Sequence, residues 1–227
     1  MATQYHQRGF ALAADATELV LVRHGASAPA VDGQPFQSLH GHGDPPLAPE
    51  GELQAEAVAR RLAAPAHAPA ALFVTGLQRT AQTAAPLAER TGLEAHVVWE
   101  LREVNLGEWE GGVLRIRVAE GDPLAKRLFD EQRWDVIPGA ESMEALAERV
   151  RAGVQQIVDT VGSGAVAVAF VHGGVIGELC RQATASRPFA FIGSDNCSIS
   201  RLVVLGDGRW VLRCFNDTAH LEAGKAP

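Results

Sequence analysis

Two histidines that each follow an apolar run are the residues of this sequence best suited to covalent chemistry. His24 follows residues 18–22, with Arg23 before it and a glycine after it, and His172 follows residues 165–171. A neutral imidazole nitrogen can attack an electrophile near neutral pH. The two glycines after His172 begin a predicted helix, whose first amides favour an anion. Each histidine alone is more often structural, so the prediction depends on the pair.

Arginine and carboxylate side chains complete a set suited to phosphate chemistry. Arg79 lies at the start of a helix predicted after residues 71–74, and its planar fork of donors matches phosphate oxygens. Such an arginine is more often solvated, but this one would share a sheet edge with the histidines. A carboxylate near apolar surface and a bound phosphate can protonate a departing alkoxide. Spacing alone does not choose among four candidates, which are Glu100, Glu103, Glu108 and Glu110.

Hydrophobic periodicity predicts the elements that must position these side chains. Strands are expected at residues 18–22, 71–74, 97–99 and 165–171, with a closing hairpin at 198–205 and 209–215. Helices are expected at residues 50–63, 77–90, 141–161 and 173–183. This alternation predicts an α/β fold, a three-layer sandwich with a mostly parallel central sheet flanked by helices. Ligands are then expected beyond the carboxyl ends of the central strands, bordered by a long irregular loop at residues 29–49.

The composition of the whole chain limits its class. Its 227 residues, 47% of them hydrophobic and 21% charged, are typical of one soluble globular domain. A net charge of −7 argues against a general affinity for nucleic acid, so any phosphate recognition must be local. The cysteines are odd in number and have no CxxC spacing. This predicts no disulfide framework and no zinc site, but reduced and half-buried thiols at Cys180, Cys197 and Cys214.

The ends of the chain and its hydropathy indicate an expected compartment. We expect residues 1–16 to form a poorly ordered extension and residues 17–227 to form a single domain. The apolar run at residues 10–14 is too short for the core of a signal peptide. No stretch approaches the roughly 18 to 20 consecutive apolar residues that a membrane helix needs. We therefore expect a cytoplasmic protein.

Four segments, in order along the chain, resemble the motifs of the histidine phosphatase superfamily, also called phosphoglycerate-mutase-like. Residues 21–25, Leu-Val-Arg-His-Gly, are similar to its signature, and residues 77–81, Leu-Gln-Arg-Thr-Ala, to its second arginine motif. Residues 101–107 resemble its acid-bearing segment, and residues 171–174 its second histidine. Residues 138–142 are similar to a further family segment that is largely structural. The resemblance covers nearly the whole chain.

The resemblance implies roles for five side chains and one glycine. His24 would be the phosphorylated nucleophile, and Glu103 would be the proton donor, which chooses among the four carboxylates. The phosphoryl oxygens would be bound by Arg23, Arg79, His172 and Gly173. The resemblance also implies a metal-free mechanism, so we expect no metal and no cofactor. The expected partner is a small phosphorylated substrate, with no nucleic acid and no membrane, and a homodimer is one candidate assembly.

One departure from the family pattern separates two enzyme hypotheses. Mutase-type members typically carry a polar Trp-Asn pair shortly after the signature, where this chain has Pro29 and Ala30. This difference favours a phosphatase acting on a small phosphorylated metabolite over a phosphoglycerate-mutase-type phosphotransferase. A third hypothesis is a module that binds a phosphorylated ligand without turnover. It is disfavoured because every implied catalytic residue is present.

Several further polar residues receive no assigned role. His40 and His42 could contact substrate or a metal, but histidines two residues apart in a loop are more often solvated. His220 lies in a C-terminal segment that resembles a family segment closing over the site. Four residues of the substrate-cap region are candidates for specificity, although surface exposure is the more common explanation for each: Arg102, Arg115, Arg117 and Trp134.

Overall fold

The apolar runs form a six-stranded central sheet in a computed structural model that describes residues 4, 6–7, 9–64 and 68–222. Numbered in chain order, the strands of this sheet are β1 Thr17–Arg23, β4 Ala71–Val74, β5 Ala95–Val97, β6 Val166–Val171, β7 Ile199–Val204 and β8 Trp210–Asp217. A separate small hairpin consists of β2 Ser38–Leu39 and β3 His42–Gly43.

The order of the strands brings the two candidate histidines together. The sheet order is β5-β4-β6-β1-β7-β8, and only β7 runs against the other strands of this described sheet. Arg23 of β1 pairs with Val171 of β6 in a parallel ladder. Because parallel strands end at the same edge, the residues that follow this pair, His24 and His172, leave the sheet side by side.

Helices cover both faces of the sheet, which confirms the predicted three-layer α/β sandwich. Successive side chains of a strand point to opposite faces. Leu19 and Leu21 of β1 therefore enter one core, and Val20 and Val22 enter the other. The first core contains residues of α5 Met143–Val161 and α6 Gly173–Thr184, and the second contains residues of α1 Pro49–Leu62 and α2 Gln78–Thr91.

The long helix α5 carries an apolar stripe that matches its predicted period. Leu146, Val150, Val154 and Ile157, at spacings of three and four, are buried against the sheet. Burying side chains of this kind stabilises the fold by about 1.5 to 3 kcal/mol each. The helix begins after Ser142, whose hydroxyl accepts a hydrogen bond from the Ala145 amide at 3.1 Å. This N-cap fixes where the helix starts.

Two details of the secondary structure and the burial of two cysteines differ from the prediction. The strand expected at residues 97–99 lies earlier, at Ala95–Val97, because its partner β4 ends at Val74 opposite Val97. Residues Trp99–Leu101 form a 3-10 helix instead. The loop at residues 29–49 is irregular except for the β2–β3 hairpin and two isolated bridges. Of the three cysteines, Cys180 and Cys197 are fully buried and only Cys214 is half-buried.

The segment after the third parallel strand builds a small cap. It contains α3 Val113–Ala119 and α4 Pro123–Glu131, together with 3-10 helices at Gly107–Trp109 and Trp134–Val136. A separate apolar cluster holds it together, formed by Trp109, Ala125, Leu128 and Ile137. A short final helix, α7 Ala219–Glu222, follows β8. The cap thus has its own core beside the sheet edge that carries the histidines.

The ends of the chain leave two expectations open. Residues 1–3, 5, 8 and 223–227 lie outside the described residues, so the proposed extension and domain boundaries stay predictions. Within the described part of the chain, no helix is long and apolar enough to cross a membrane.

Candidate active site

His24 is held in one tautomer by the backbone that follows it. Its Nδ1 lies 2.8 Å from the carbonyl oxygen of Gly25, which can only accept a hydrogen bond. Nδ1 therefore carries the proton of the neutral ring, and Nε2 keeps its lone pair. The backbone of His24 is fixed as well, because its amide donates to Val171 at 3.0 Å and its carbonyl accepts from the Asn196 side chain at 2.9 Å. A rigid, unprotonated Nε2 suits a nucleophile.

Burial and neighbouring cations keep His24 neutral. The residue is 5% exposed, and its pKa is lowered well below 6.5 by burial first, and then by the positive charges of Arg79 and Arg23. Protonation would place a third positive charge among these groups with little solvent to screen it. The ring is therefore available as a neutral base throughout the physiological pH range.

His172 lies directly behind His24 and is completely buried. The two ring centroids are 5.2 Å apart, and His172 is 0% exposed. Its Nε2 is 2.9 Å from the hydroxyl of Thr75, the residue that follows β4. Its Nδ1 has no partner among the residues that the structure describes. Burial first, and then the charge of Arg79, lower its pKa well below 6.5, so His172 is also neutral.

The two predicted arginines are anchored by backbone carbonyls and keep donors to spare. Arg23 donates to the carbonyl of Ser194, while its buried Nε has no described partner. Arg79 donates to the carbonyl of Gly43 at 3.0 Å and lies 3.7 Å from the carboxylate of Asp44. Each guanidinium has five N–H donors, so both retain groups that can bind phosphate oxygens.

Among the charged groups around Arg23 and Arg79, Glu103 is the carboxylate that most strongly favours the charged form of both arginines. Burial lowers the pKa of both Arg23 and Arg79, and Glu103 is the charged group that opposes this lowering most strongly. Of the four carboxylates of the segment, Glu103 and Glu110 line the cleft. Both oxygens of Glu110 accept backbone amides, from Gly43 at 2.7 Å and Leu106 at 2.8 Å. These contacts give Glu110 a part in joining the hairpin to the cap.

Gly174 allows Glu103 to approach the start of α6. The Gly174 amide donates to Glu103 Oε2 at 3.3 Å. A Cβ atom at position 174 would lie 2.7 Å from Glu103 Oε1 and 2.7 Å from a methyl group of Val104, closer than van der Waals contact permits. Only glycine fits there without a shift of the carboxylate. Sequence reasoning missed this role, although the second glycine after His172 was its signal.

The predicted residues surround one cleft of about 260 Å³, with two exceptions. Arg23, His24, Arg79 and Glu103 line it directly. His172 lies beneath His24, and Gly173 lines a smaller neighbouring cavity, where a Cβ atom would be 3.5 Å from Arg23 Nε. The rest of the lining is mixed: it includes the polar side chains of His42, Glu110 and Arg115 and the apolar side chains of Phe36, Pro45, Val104, Leu106, Trp109 and Leu114.

The candidate specificity residues of the cap separate into different environments. Arg115 lines the cleft, where it donates to the Ala28 carbonyl at 2.9 Å and the Ser27 hydroxyl at 2.8 Å. Arg117 is exposed, within 3.7 Å of Glu120 and 3.6 Å of Asp122. Trp134 packs against the Phe189 ring at 4.8 Å, and Arg102 donates to His42. Of the four, only Arg115 contributes to the described cleft wall.

The three unassigned histidines also differ in their surroundings. The interpretation of His42 as solvated was wrong: it is 5% exposed, because the Trp99 ring covers it at 5.7 Å and Arg102 donates to its Nε2 at 3.2 Å. His40 is exposed beside the same tryptophan. His220 donates to the Cys197 carbonyl at 2.9 Å. Among the described residues, no three metal-binding side chains converge on one point.

Acidic pH is expected to destabilise the protein steeply, because His24, His42 and His172 are buried in the neutral form. Burial first, and then the charge of Arg102, lower the pKa of His42 from 6.5 to about 4. The unfolded chain therefore takes up protons that the folded chain refuses, and the free energy of unfolding falls as the pH drops below about 6.5. Each such histidine contributes a slope of up to about 1.4 kcal/mol per pH unit between its unfolded and folded pKa.

Urea unfolding of the wild type and of His42→Asn, measured from pH 7.5 to pH 5, tests this expectation. The His42→Asn variant should lose the slope of about one proton, roughly 1.4 kcal/mol per pH unit. Equal slopes for the two proteins, or a flat wild-type curve, would contradict it.

Comparisons with known proteins show the family and the fold of the chain. A family model described as histidine phosphatase superfamily (branch 1) matches residues 19–218. A probable phosphoglycerate mutase, GpmB, of Yersinia enterocolitica is 30% identical over 212 residues, which cover 90% of this chain and 95% of the relative. The structure of a mycobacterial glucosyl-3-phosphoglycerate phosphatase has a TM-score of 0.73 at 28% identity, covering 89% of this chain and 100% of that one. Phosphoglycerate mutase from Bacillus anthracis, at 22% identity, shares the fold with a TM-score of 0.76, covering 94% and 98%.

Proposed function

The chain belongs to the histidine phosphatase superfamily (branch 1), and we propose that it hydrolyses a small phosphorylated metabolite through a phosphohistidine on His24. The observation that carries the proposal is the Nδ1–Gly25 hydrogen bond, which leaves His24 Nε2 unprotonated in a cleft lined by Arg23 and Arg79. These positive charges oppose the net charge of −7 of the whole chain. They would concentrate a phosphate monoester at this one point of the surface.

In the first step, His24 Nε2 attacks phosphorus and the ester P–O bond breaks. Arg23 and Arg79 stabilise the charge on the phosphoryl oxygens, assisted by His172 Nδ1 and the start of α6 at Gly173. Glu103 gives its proton to the departing alkoxide, which leaves as the neutral alcohol. The groups are held in place before the reaction, so little reorganisation is needed when the charge develops.

In the second step, water attacks the phosphohistidine. Glu103, now ionised, takes the proton of the attacking water, the new O–P bond forms, and the Nε2–P bond breaks. Inorganic phosphate leaves, and His24 and Glu103 return to their starting protonation states. One carboxylate thus serves as acid and then as base.

Transfer to water is favoured over return of the phosphoryl group to a second hydroxyl. A mutase must hold a bisphosphorylated intermediate while it turns, which requires polar anchors away from His24. Here the cleft has apolar side chains such as Phe36, Trp109 and Leu114 in its lining, and Arg115 is its one further cationic side chain among the described residues. Ala30, which stands where mutases carry a polar residue, packs against the cap: a Cβ atom added at Gly112 would lie 3.0 Å from the Ala30 methyl group.

We also retain the cytoplasm as the expected compartment.

Assays of phosphate release and of phosphoglycerate interconversion test the proposal. The wild type should release inorganic phosphate from members of a metabolite panel without any bisphosphorylated primer. It should not interconvert 2-phosphoglycerate and 3-phosphoglycerate, with or without 2,3-bisphosphoglycerate. Primer-dependent interconversion that outpaces phosphate release would identify a mutase instead. Saturable binding of phosphate esters with no turnover across the panel would identify a binding module.

A further inference from the structure

The Arg149 guanidinium uses all five of its N–H donors, three on the segment that carries Glu103 and two on the Glu141 carboxylate. Its Nε and one terminal nitrogen donate to the two carboxylate oxygens of Glu141 at 2.6 and 2.7 Å. The remaining donors reach three backbone carbonyls, those of Glu100 at 2.7 Å, Arg102 at 2.8 Å and Glu103 at 3.1 Å. Every N–H donor of Arg149 therefore has a hydrogen-bond acceptor.

This ion pair is largely shielded from solvent, and Glu141 contacts the acid-bearing segment at a second point. The side chains of Arg149 and Glu141 are each 11% exposed. Residue 141 also exchanges backbone contacts with Asn105: its amide donates to the Asn105 carbonyl at 2.9 Å, and its carboxylate accepts from the Asn105 amide at 3.4 Å. The segment at residues 100–105 is thereby attached at one end to Arg149 of α5 and at the other to Glu141, two residues before that helix begins.

The attached segment has little regular structure of its own. The 3-10 helix Trp99–Leu101 ends at Arg102, and residues 103–106 belong to no helix or strand. The Glu103 carboxylate is fixed at its far end by weaker contacts, with the Val104 amide at 3.0 Å and the Gly174 amide at 3.3 Å. Three donors of Arg149, on the carbonyls of residues 100, 102 and 103, thus restrain the backbone from which Glu103 projects.

We propose that Arg149 is a positioning residue that holds Glu103 where its carboxyl group can reach and protonate the leaving group. Arg149 does not line the cleft and touches no reacting atom. This inference rests on the proposed function, since it assumes that Glu103 is the general acid. Proton transfer requires hydrogen-bond reach, so a displacement of about 1 Å in this segment is expected to weaken the acid step without removing the phosphate site.

Two phosphate esters with similar aromatic bodies separate this role from a general structural one. Benzyl phosphate must expel a strongly basic alkoxide and depends on an acid, whereas p-nitrophenyl phosphate releases a stable phenolate and does not. The measurement is kcat/KM, which reports the steps up to departure of the alcohol. For Arg149→Met we expect a loss of about tenfold or more on benzyl phosphate, against less than about threefold on p-nitrophenyl phosphate.

Two further variants keep the test decisive. Arg149→Lys retains the charge beside Glu141 but has only three donors, so it should fold and show the same selective loss to a smaller degree. Arg149→Met leaves Glu141 without its partner and is the variant more at risk of misfolding. If it does not fold, Arg149→Lys alone tests the positioning role of Arg149. Arg151→Met is the matched control, because this arginine lies on the same helix but packs over the Trp210 ring, away from the cleft. It should change neither rate.

Glu103→Gln, assayed beside these variants, separates the inference from the function beneath it. A selective loss on benzyl phosphate in both Glu103→Gln and the Arg149 variants supports the inference. A selective loss in Glu103→Gln alone overturns the role of Arg149 and leaves the proposed function intact. Equal losses on both esters in the Arg149 variants also overturn it. If Glu103→Gln itself shows no selectivity, Glu103 is not the general acid and the inference fails with it, whereas the proposed hydrolysis through His24 is judged separately by phosphate release from the metabolite panel.

Discussion

Replacement of His24 by alanine is expected to abolish phosphate release and to prevent labelling of the protein by a radioactive phosphate ester. The attacking Nε2 disappears. His172 is fully buried, and the Nε2 of His42, the other histidine that lines the described cleft, already accepts a hydrogen bond from Arg102, so neither is expected to replace it. Loss of the nucleophile costs about 10⁶-fold in kcat in a serine protease, and we expect a loss of more than about 10⁴-fold here. The wild type, quenched during turnover, should carry a phosphate that is stable in alkali and labile in acid.

The controls for this prediction use histidine and asparagine replacements in the same protein. His24→Asn preserves a donor toward the Gly25 carbonyl, so it should fold like the wild type and still be inactive. His40→Ala removes an exposed histidine outside the cleft and should retain both activity and labelling. Wild-type turnover in His24→Ala, or an alkali-labile label, would show that another residue carries the phosphoryl group.

The meeting of the two histidines could be predicted from the sequence because it depends on local patterns and one general rule. Residues 18–22 and 165–171 are apolar and β-branched, which indicates buried parallel strands. The carboxyl ends of such strands meet at one sheet edge, so His24 and His172 had to be neighbours once β1 paired with β6. The fold class followed from the same alternation of strands and helices.

The support of Glu103 could not be predicted in the same way. Its contact with the Gly174 amide joins residues 71 positions apart, and the contact of its carbonyl with Arg149 joins residues 46 positions apart. Hydrophobic periodicity predicts individual helices and strands, but it does not predict which loop contacts which helix. The choice of Glu103 among four carboxylates came from family resemblance alone; the structure adds that, of the four, Glu103 and Glu110 line the cleft.

Burial of loop residues was the other feature beyond the reach of sequence patterns. His42 stands in a segment rich in glycine and proline, which favours solvated side chains. It is buried because the β2–β3 hairpin folds against Trp99 and Arg102, residues of a different loop. The same hairpin places the Gly43 carbonyl on Arg79, so a segment without hydrophobic pattern orients a residue of the candidate site.

Replacement of Arg79 by methionine is expected to lower kcat by about 10² to 10³, in addition to weakening substrate binding. Methionine keeps the length of the side chain but removes the donors and the charge. In a cleft with little water, one preorganised donor to a developing charge contributes about 3 to 4 kcal/mol to the transition state. The charge on the phosphoryl oxygens grows as His24 attacks, so the loss should appear in kcat as well as in KM.

Steady-state kinetics on the best substrate of the panel, with inorganic phosphate as a competitive inhibitor, measure both parts of this effect. Arg79→Lys should recover part of the loss, since it restores the charge but not the planar fork. Arg90→Met is the matched control on the same helix, because Arg90 pairs with Glu56 at the surface, outside the cleft. A rise in KM with unchanged kcat would limit Arg79 to ground-state binding, since a residue that serves the transition state must alter the rate of the bound complex.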